Sequence, residues 1–183
     1  MALQVWLPLN NDTRNQGIFD KAPSFSTTNH YIIDSGKLGK CLKTTTSGNI
    51  DTYYTPKFNV SSISFGGWFK FNKEEIQNAI GGLNYTSSAP AATGNLIGNC
   101  SYGGIGLVWT SNNMYSSGKV LSSINVFGNI RTPSINHNTN QITINFDEWI
   151  HIFYVLNRDK NEMYLYKNGE LFSTVHLNSY SDW

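Results

Sequence analysis

The stretch that decides the fold is Glu148-Trp149-Ile150-His151-Ile152-Phe153-Tyr154-Val155-Leu156, followed by Arg158-Asp159-Lys160-Asn161 and then Met163-Tyr164-Leu165-Tyr166-Lys167-Asn168-Gly169-Glu170-Leu171. Two runs rich in β-branched and aromatic residues are joined by a polar turn, and an Asn-Gly pair leads into a third. This pattern predicts a three-stranded antiparallel meander closed by tight turns. Working backwards, Ser62 to Asn72 alternates, with Ile63, Phe65, Gly67, Phe69 and Phe71 on one face and Ser64, Gly66, Trp68 and Lys70 on the other. The first set faces a core and the second is only partly covered. Leu96–Ile97, Gly104–Trp109, Val120–Phe127, Gln141–Phe146 and Trp149–Leu156 supply further short strands separated by Asn, Ser and Gly clusters.

Ala2 to Leu7 reads as an opening strand that runs into a loop at Pro8 and Asn10-Asn11-Asp12, and Gly36-Lys37-Leu38-Gly39 as the turn of a hairpin whose return strand carries Cys41 and Leu42. Lys73 to Ile80 is the single helical turn, ahead of an aperiodic insertion from Gly81 to Gly94. The spacing predicts an all-β chain, an antiparallel two-sheet β-sandwich forming one domain over residues 1–183, long enough to bury its core without disulfide staples. No internal repeat, heptad or transmembrane run is present in the sequence.

Formal net charge is +1, with thirteen Lys and Arg dispersed through the chain, which argues against a nucleic-acid surface. Charged and aromatic residues each make up 14% of the chain, so most polarity comes from Asn, Ser, Thr and Gly, residues of strands and turns. The first strand begins without a charged n-region or a long apolar segment, so folding in a cytoplasm without membrane insertion is the expectation. Cys41 and Cys100 are expected as unpaired thiols. Triplets beginning at Asn11, Asn59, Asn84 and Asn99 match a glycosylation pattern that any Asn-rich chain produces, and carry no weight.

Val5-Trp6-Leu7-Pro8-Leu9-Asn10, Gly36-Lys37-Leu38-Gly39-Lys40-Cys41-Leu42, Ile63-Ser64-Phe65-Gly66-Gly67-Trp68-Phe69-Lys70 and the Glu148 to Leu171 meander occur in that order. Together they resemble the laminin-G-like, concanavalin A-like jelly rolls, in particular those of bacteriophage structural proteins. The resemblance implies two curved antiparallel sheets, a role in binding or assembly, and frequently a sugar ligand. Members usually continue past the final hairpin into a closing strand that pairs with the first. This sequence stops at Ser179-Tyr180-Ser181-Asp182-Trp183, so the expectation is a longer polypeptide or a partner subunit over the Leu3 to Leu7 edge.

Glycoside hydrolases occur on this architecture and need two carboxylates about 5 to 5.5 Å apart for retaining chemistry. No strand here carries acids at alternating positions: Glu74-Glu75 and Asp147-Glu148 are adjacent pairs, and Asp159 and Glu162 flank a turn. His30, His137, His151 and His176 lack ligand spacing, and no nucleophile elbow or phosphate cradle is present. The chain is therefore read as a non-enzyme with no cofactor. Asn10, Asn11 and Asp12, or Asp159 and Asn161, offer hard oxygen ligands for calcium, although turn residues bonding their own backbone explain them more simply.

Ligand-binding candidates are the loop aromatics and amides Tyr85, Tyr102, Trp109, Asn112, Asn113 and Tyr115. Sugars present apolar faces edged by hydroxyls, which call for a ring to stack on and amides that donate and accept. With the resemblance, this reading is a bacteriophage virion structural protein, a head or tail decoration, fibre or adhesion component, assembled in the cytoplasm of a bacterial host. Its expected partners are other virion proteins, further copies of itself as a trimer or dimer, and host or mucosal glycans. The alternatives are a bacterial carbohydrate-binding module excised from a larger protein, and a virion component with no ligand.

Overall fold

The computed structural model describes residues 24–25, 30–44, 50–51, 62–79, 93–98, 104–111, 123–131 and 136–178. These residues form antiparallel β-strands with one short helix, and the chain is all-β. It divides into two compact units, Met1–Lys57 and Phe58–Trp183. In the first, β2 (His30–Gly36) and β3 (Gly39–Thr44) form the expected hairpin across Lys37 and Leu38, and β1 (Ser24–Phe25) pairs with β4 (Ile50–Asp51). Cys41 on β3 is a half-buried thiol, whereas Cys100 and the Ala2 to Leu7 segment lie outside the described residues.

The second unit contains β5 (Ser62–Lys70), α1 (Lys73–Ala79), β6 (Thr93–Gly98), β7 (Gly104–Ser111), β8 (Ile124–Arg131), β9 (Asn136–Asn138), β10 (Ile142–Ile144), β11 (Trp149–Asn157), β12 (Glu162–Lys167) and β13 (Glu170–His176). The meander is present, and β5 pairs along the whole of β11, giving a four-stranded sheet in the order β13-β12-β11-β5. Its second turn places Asn168 and Gly169 at φ of 51° and 89°, the left-handed pair that a tight hairpin turn needs. β5 ends at Lys70, two residues before the expected boundary, because Asn72 caps α1: its Oδ1 accepts from the Glu75 N–H at 2.9 Å.

The other sheet is five-stranded, in the order β10-β8-β7-β6, with β9 also on β8. β9 was not anticipated from the sequence. Asn129 faces Asn138 and Val126 faces Ile142, so the chain from β9 to β10 follows one edge of β8 with one extra residue inserted between them. Thr139 holds that irregular point: its N–H donates to the Gly128 carbonyl at 2.9 Å and its Oγ1 accepts from the Gly128 N–H at 2.9 Å.

One apolar cluster joins the two sheets. Leu107, Ile124, Val126, Ile130, Ile142 and Ile144 meet Ile150, Ile152, Tyr154, Leu156, Met163 and Leu165, with Phe71 and Leu177 at its margin. Tyr154 is fully buried, and its ring crosses from the four-stranded sheet to lie on Gly128 of the five-stranded one. A Cβ at Gly128 would stand 2.3 Å from Tyr154 Cδ2, so only glycine admits the ring.

Candidate functional site

With one face of each sheet committed to the core, the chemistry lies on the outer faces. On β11 the alternation buries Ile150, Ile152, Tyr154 and Leu156 and turns Trp149, His151, Phe153 and Val155 outward, where they remain half-buried. Register then assembles an aromatic surface. His151 faces Trp68 on β5, Phe153 faces Gly66 on β5 and Tyr166 on β12, and Val155 faces Tyr164. Trp68 is 41% exposed, a large value for an indole in the middle of a strand pairing. The Trp68 and His151 rings are 5.2 Å apart and tilted at 56°, and those of His151 and Phe153 are 6.2 Å apart and nearly parallel at 11°.

Two local features hold this ladder of rings. A Cβ at Gly66 would lie 2.7 Å from Phe153 Cδ2, so the glycine lets the Phe153 ring settle over β5. Asn168, in the turn after β12, brackets the His151 backbone: its Oδ1 accepts from the His151 N–H at 3.0 Å, and its own N–H donates to the His151 carbonyl at 2.8 Å. A polar group borders the rings. The Tyr164 hydroxyl donates to Glu162 Oε2, and His176 Nδ1 lies 3.0 Å from Glu162 Oε1. That hydrogen bond, helped by desolvation and the carboxylate charge, pushes the Tyr164 hydroxyl up to about 12, so it stays a donor at any physiological pH.

The outer face of the five-stranded sheet has different chemistry. β8 sends Ile124, Val126, Gly128 and Ile130 inward and Asn125, Phe127, Asn129 and Arg131 outward. Asn125 donates to Gln141 Oε1 at 2.6 Å and accepts from the Thr143 hydroxyl at 3.1 Å. Asn129 is 6% exposed, and its Nδ2 donates to Asn136 Oδ1 at 2.8 Å and Asn138 Oδ1 at 2.5 Å, with the His137 carbonyl at 3.4 Å. Its Oδ1 is buried and accepts no hydrogen bond. A buried acceptor left unsatisfied costs about 1–3 kcal/mol.

Of the residues singled out from the sequence as ligand contacts, Trp109 is described. It follows Leu107 on the core side of β7, packed against the apolar cluster, with its indole over Gly94. Tyr85, Tyr102, Asn112, Asn113 and Tyr115 lie outside the described residues, as do the calcium candidates Asn10, Asn11 and Asp12. Asp159 and Asn161 are exposed in the turn between β11 and β12. Asn161 spends its backbone groups there: its N–H donates to the Arg158 carbonyl at 3.1 Å and its carbonyl accepts from the Leu177 N–H at 2.7 Å. Among the described residues no three His, Cys, Asp or Glu side chains gather as a metal site, and no helix is long and apolar enough to cross a membrane.

Neither outer face was singled out as a ligand site from the sequence. The alternation of β5 did set Trp68 on the face away from the core residues, and the missing ingredient was the pairing of β5 with β11. No protein-family model, curated protein or solved structure matches this chain.

Proposed function

We propose that the protein is a non-enzymatic, lectin-like module of a bacteriophage virion, a two-sheet sandwich of the concanavalin A-like jelly-roll type that binds host or mucosal glycans. The observation that carries the binding role is the aromatic outer face on which Trp68, His151 and Phe153 lie in sequence with Trp68 41% exposed. Pyranose rings present C–H faces that stack on aromatic rings, and Glu162, with Tyr164 and His176 at its side, supplies a polar border for hydroxyls. The virion setting rests on the ordered motifs that resemble phage jelly rolls. Display in several copies as a homo-oligomer among other virion proteins suits such a face, because repetition turns weak stacking into useful avidity.

A glycan array probed with the full chain and with Trp68→Ala tests the binding role. Retention of defined glycans by the parent, with at least a tenfold loss in Trp68→Ala and an unchanged melting temperature, is the expected result. Equal retention by both forms, or by neither, removes the face from the account. Antibody labelling of particles from an infected culture tests the setting: label on head or tail supports it, and label on uninfected cells alone refutes it.

A further inference from the structure

We infer that the aromatic face takes an extended, uncharged glycan chain lying across all four strands, with Leu171 and Phe172 on β13 as its far end. The inference rests on the glycan-binding reading and adds the length and direction of the ligand. Among the described residues four large apolar side chains are exposed, and three of them, Trp68, Leu171 at 54% and Phe172 at 43%, belong to the two outermost strands of this sheet. An irregularity in β13 brings the last two to one face. The Ser173 hydroxyl accepts from the Asn140 N–H at 3.0 Å, so Ser173 points toward the opposite sheet and alternation turns Phe172 outward. The pairing then shifts by one residue, so that Leu171 faces Tyr166 and Phe172 is the inserted residue beside it. Two adjacent apolar side chains thereby oppose one outward-facing ring.

Register arranges the face as two parallel rows. Gly66, Phe153, Tyr166 and Leu171 are partners from strand to strand, an apolar row that begins beside Trp68 and His151 and ends at Phe172. In the neighbouring row Ser64, Val155, Tyr164 and Thr174 are partners in turn, and three of these four carry hydroxyls. The Tyr164 hydroxyl spends its proton on Glu162 and keeps its oxygen as an acceptor. Neither row holds a Lys, Arg, Asp or Glu, which suits an uncharged ligand. Strands spaced about 4.8 Å apart carry each row across roughly 14 Å, about three pyranose rings in a chain, and set the rows about 7 Å apart. A saccharide chain has C–H faces along its length and hydroxyls along its edges, so one row stacks while the other bonds. A single sugar on Trp68 leaves Phe172 in water, whereas a chain covers both.

The test is calorimetric titration of the full chain with linear oligosaccharides of glucose, mannose and N-acetylglucosamine, each from monosaccharide to hexasaccharide. In at least one series affinity should rise about tenfold from the monosaccharide to the trisaccharide and then level off. Phe172→Ala, at an exposed position, should remove that gain with an unchanged melting temperature. Leu38→Ala, which trims an exposed apolar side chain on the β2–β3 turn, should leave it intact. Binding that depends on Trp68 but is equal for monosaccharide and trisaccharide, or that ignores Phe172→Ala, refutes the chain and leaves the glycan reading standing. No binding in any series overturns the chain, and with an empty glycan array the glycan reading falls as well. Sedimentation gives the remaining outcome: a dimer of the parent that Phe172→Ala dissociates makes a second copy the occupant of this face and overturns the inference.

Discussion

The outer faces of the two sheets grow from a shared core yet reach opposite chemistries. On the four-stranded sheet, neighbours in space are near neighbours in sequence: β11, β12 and β13 follow one another through short turns, and only β5 comes from far away. The rings of His151, Phe153, Tyr164 and Tyr166 are therefore visible as an alternating pattern in a continuous stretch, and Trp68 joins them only through the pairing of β5. On the five-stranded sheet, the amide cluster is assembled by β9 and β10 running along one β8 edge with an inserted residue. Asn residues there look in sequence like turn formers. Stacking needs only a period of two along a strand, whereas a pre-set hydrogen-bond network needs atoms placed by several strands at once.

The contact between Tyr154 and Gly128 is where the two faces can be made to fail together. Tyr154→Ala should cost about 3–5 kcal/mol by leaving a cavity between the sheets. Chemical denaturation should show the loss, and amide exchange should show it on both faces; protection lost on the four-stranded sheet alone would mean that the faces are uncoupled. From the other side, Gly128→Ala should cost about 1–3 kcal/mol through overpacking against the ring. Tyr154→Leu should recover part of that cost in the double variant, a coupling of at least about 0.5 kcal/mol. Additive effects would break the proposed connection.

Smaller effects sharpen the contrast on the aromatic side. Asn168→Ala removes the short polar side chain that eases a left-handed backbone, and with it the acceptor for the His151 N–H, so a loss of about 1–2 kcal/mol is expected. Asn168→Gly should be milder, since it keeps the turn and loses only the side-chain bond. Ring-current shifts of His151 and Phe153 should change in both variants, while the Asn129 amide should not. The smallest effect is a titration. Subtracting the ultraviolet absorbance titration of Tyr164→Phe from that of the parent should show ionisation near pH 12, and Glu162→Gln should move it back toward the ordinary tyrosine value. Because folding raises this pKa, its stabilising contribution is present in full below about pH 10 and fades as pH rises through 12. A midpoint near 10 in the parent would remove Glu162 as the partner.

Local rules reached a good part of this molecule. The alternation read from Ser62 as far as Lys70, the strand at Trp149 to Leu156, the Asn168-Gly169 turn and the Gly36 to Gly39 turn all have the structure that their residues imply, because side-chain period and turn geometry are decided within a few bonds. The all-β character follows from the same residues. The pairing of β5 with β11, the seat of Tyr154 on Gly128, the position of Trp109 on the core side and the unpaired oxygen of Asn129 were decided only by tertiary structure. Each depends on which distant strand lies alongside and in what register, and a change of one residue in register would turn the same side chains to the other face.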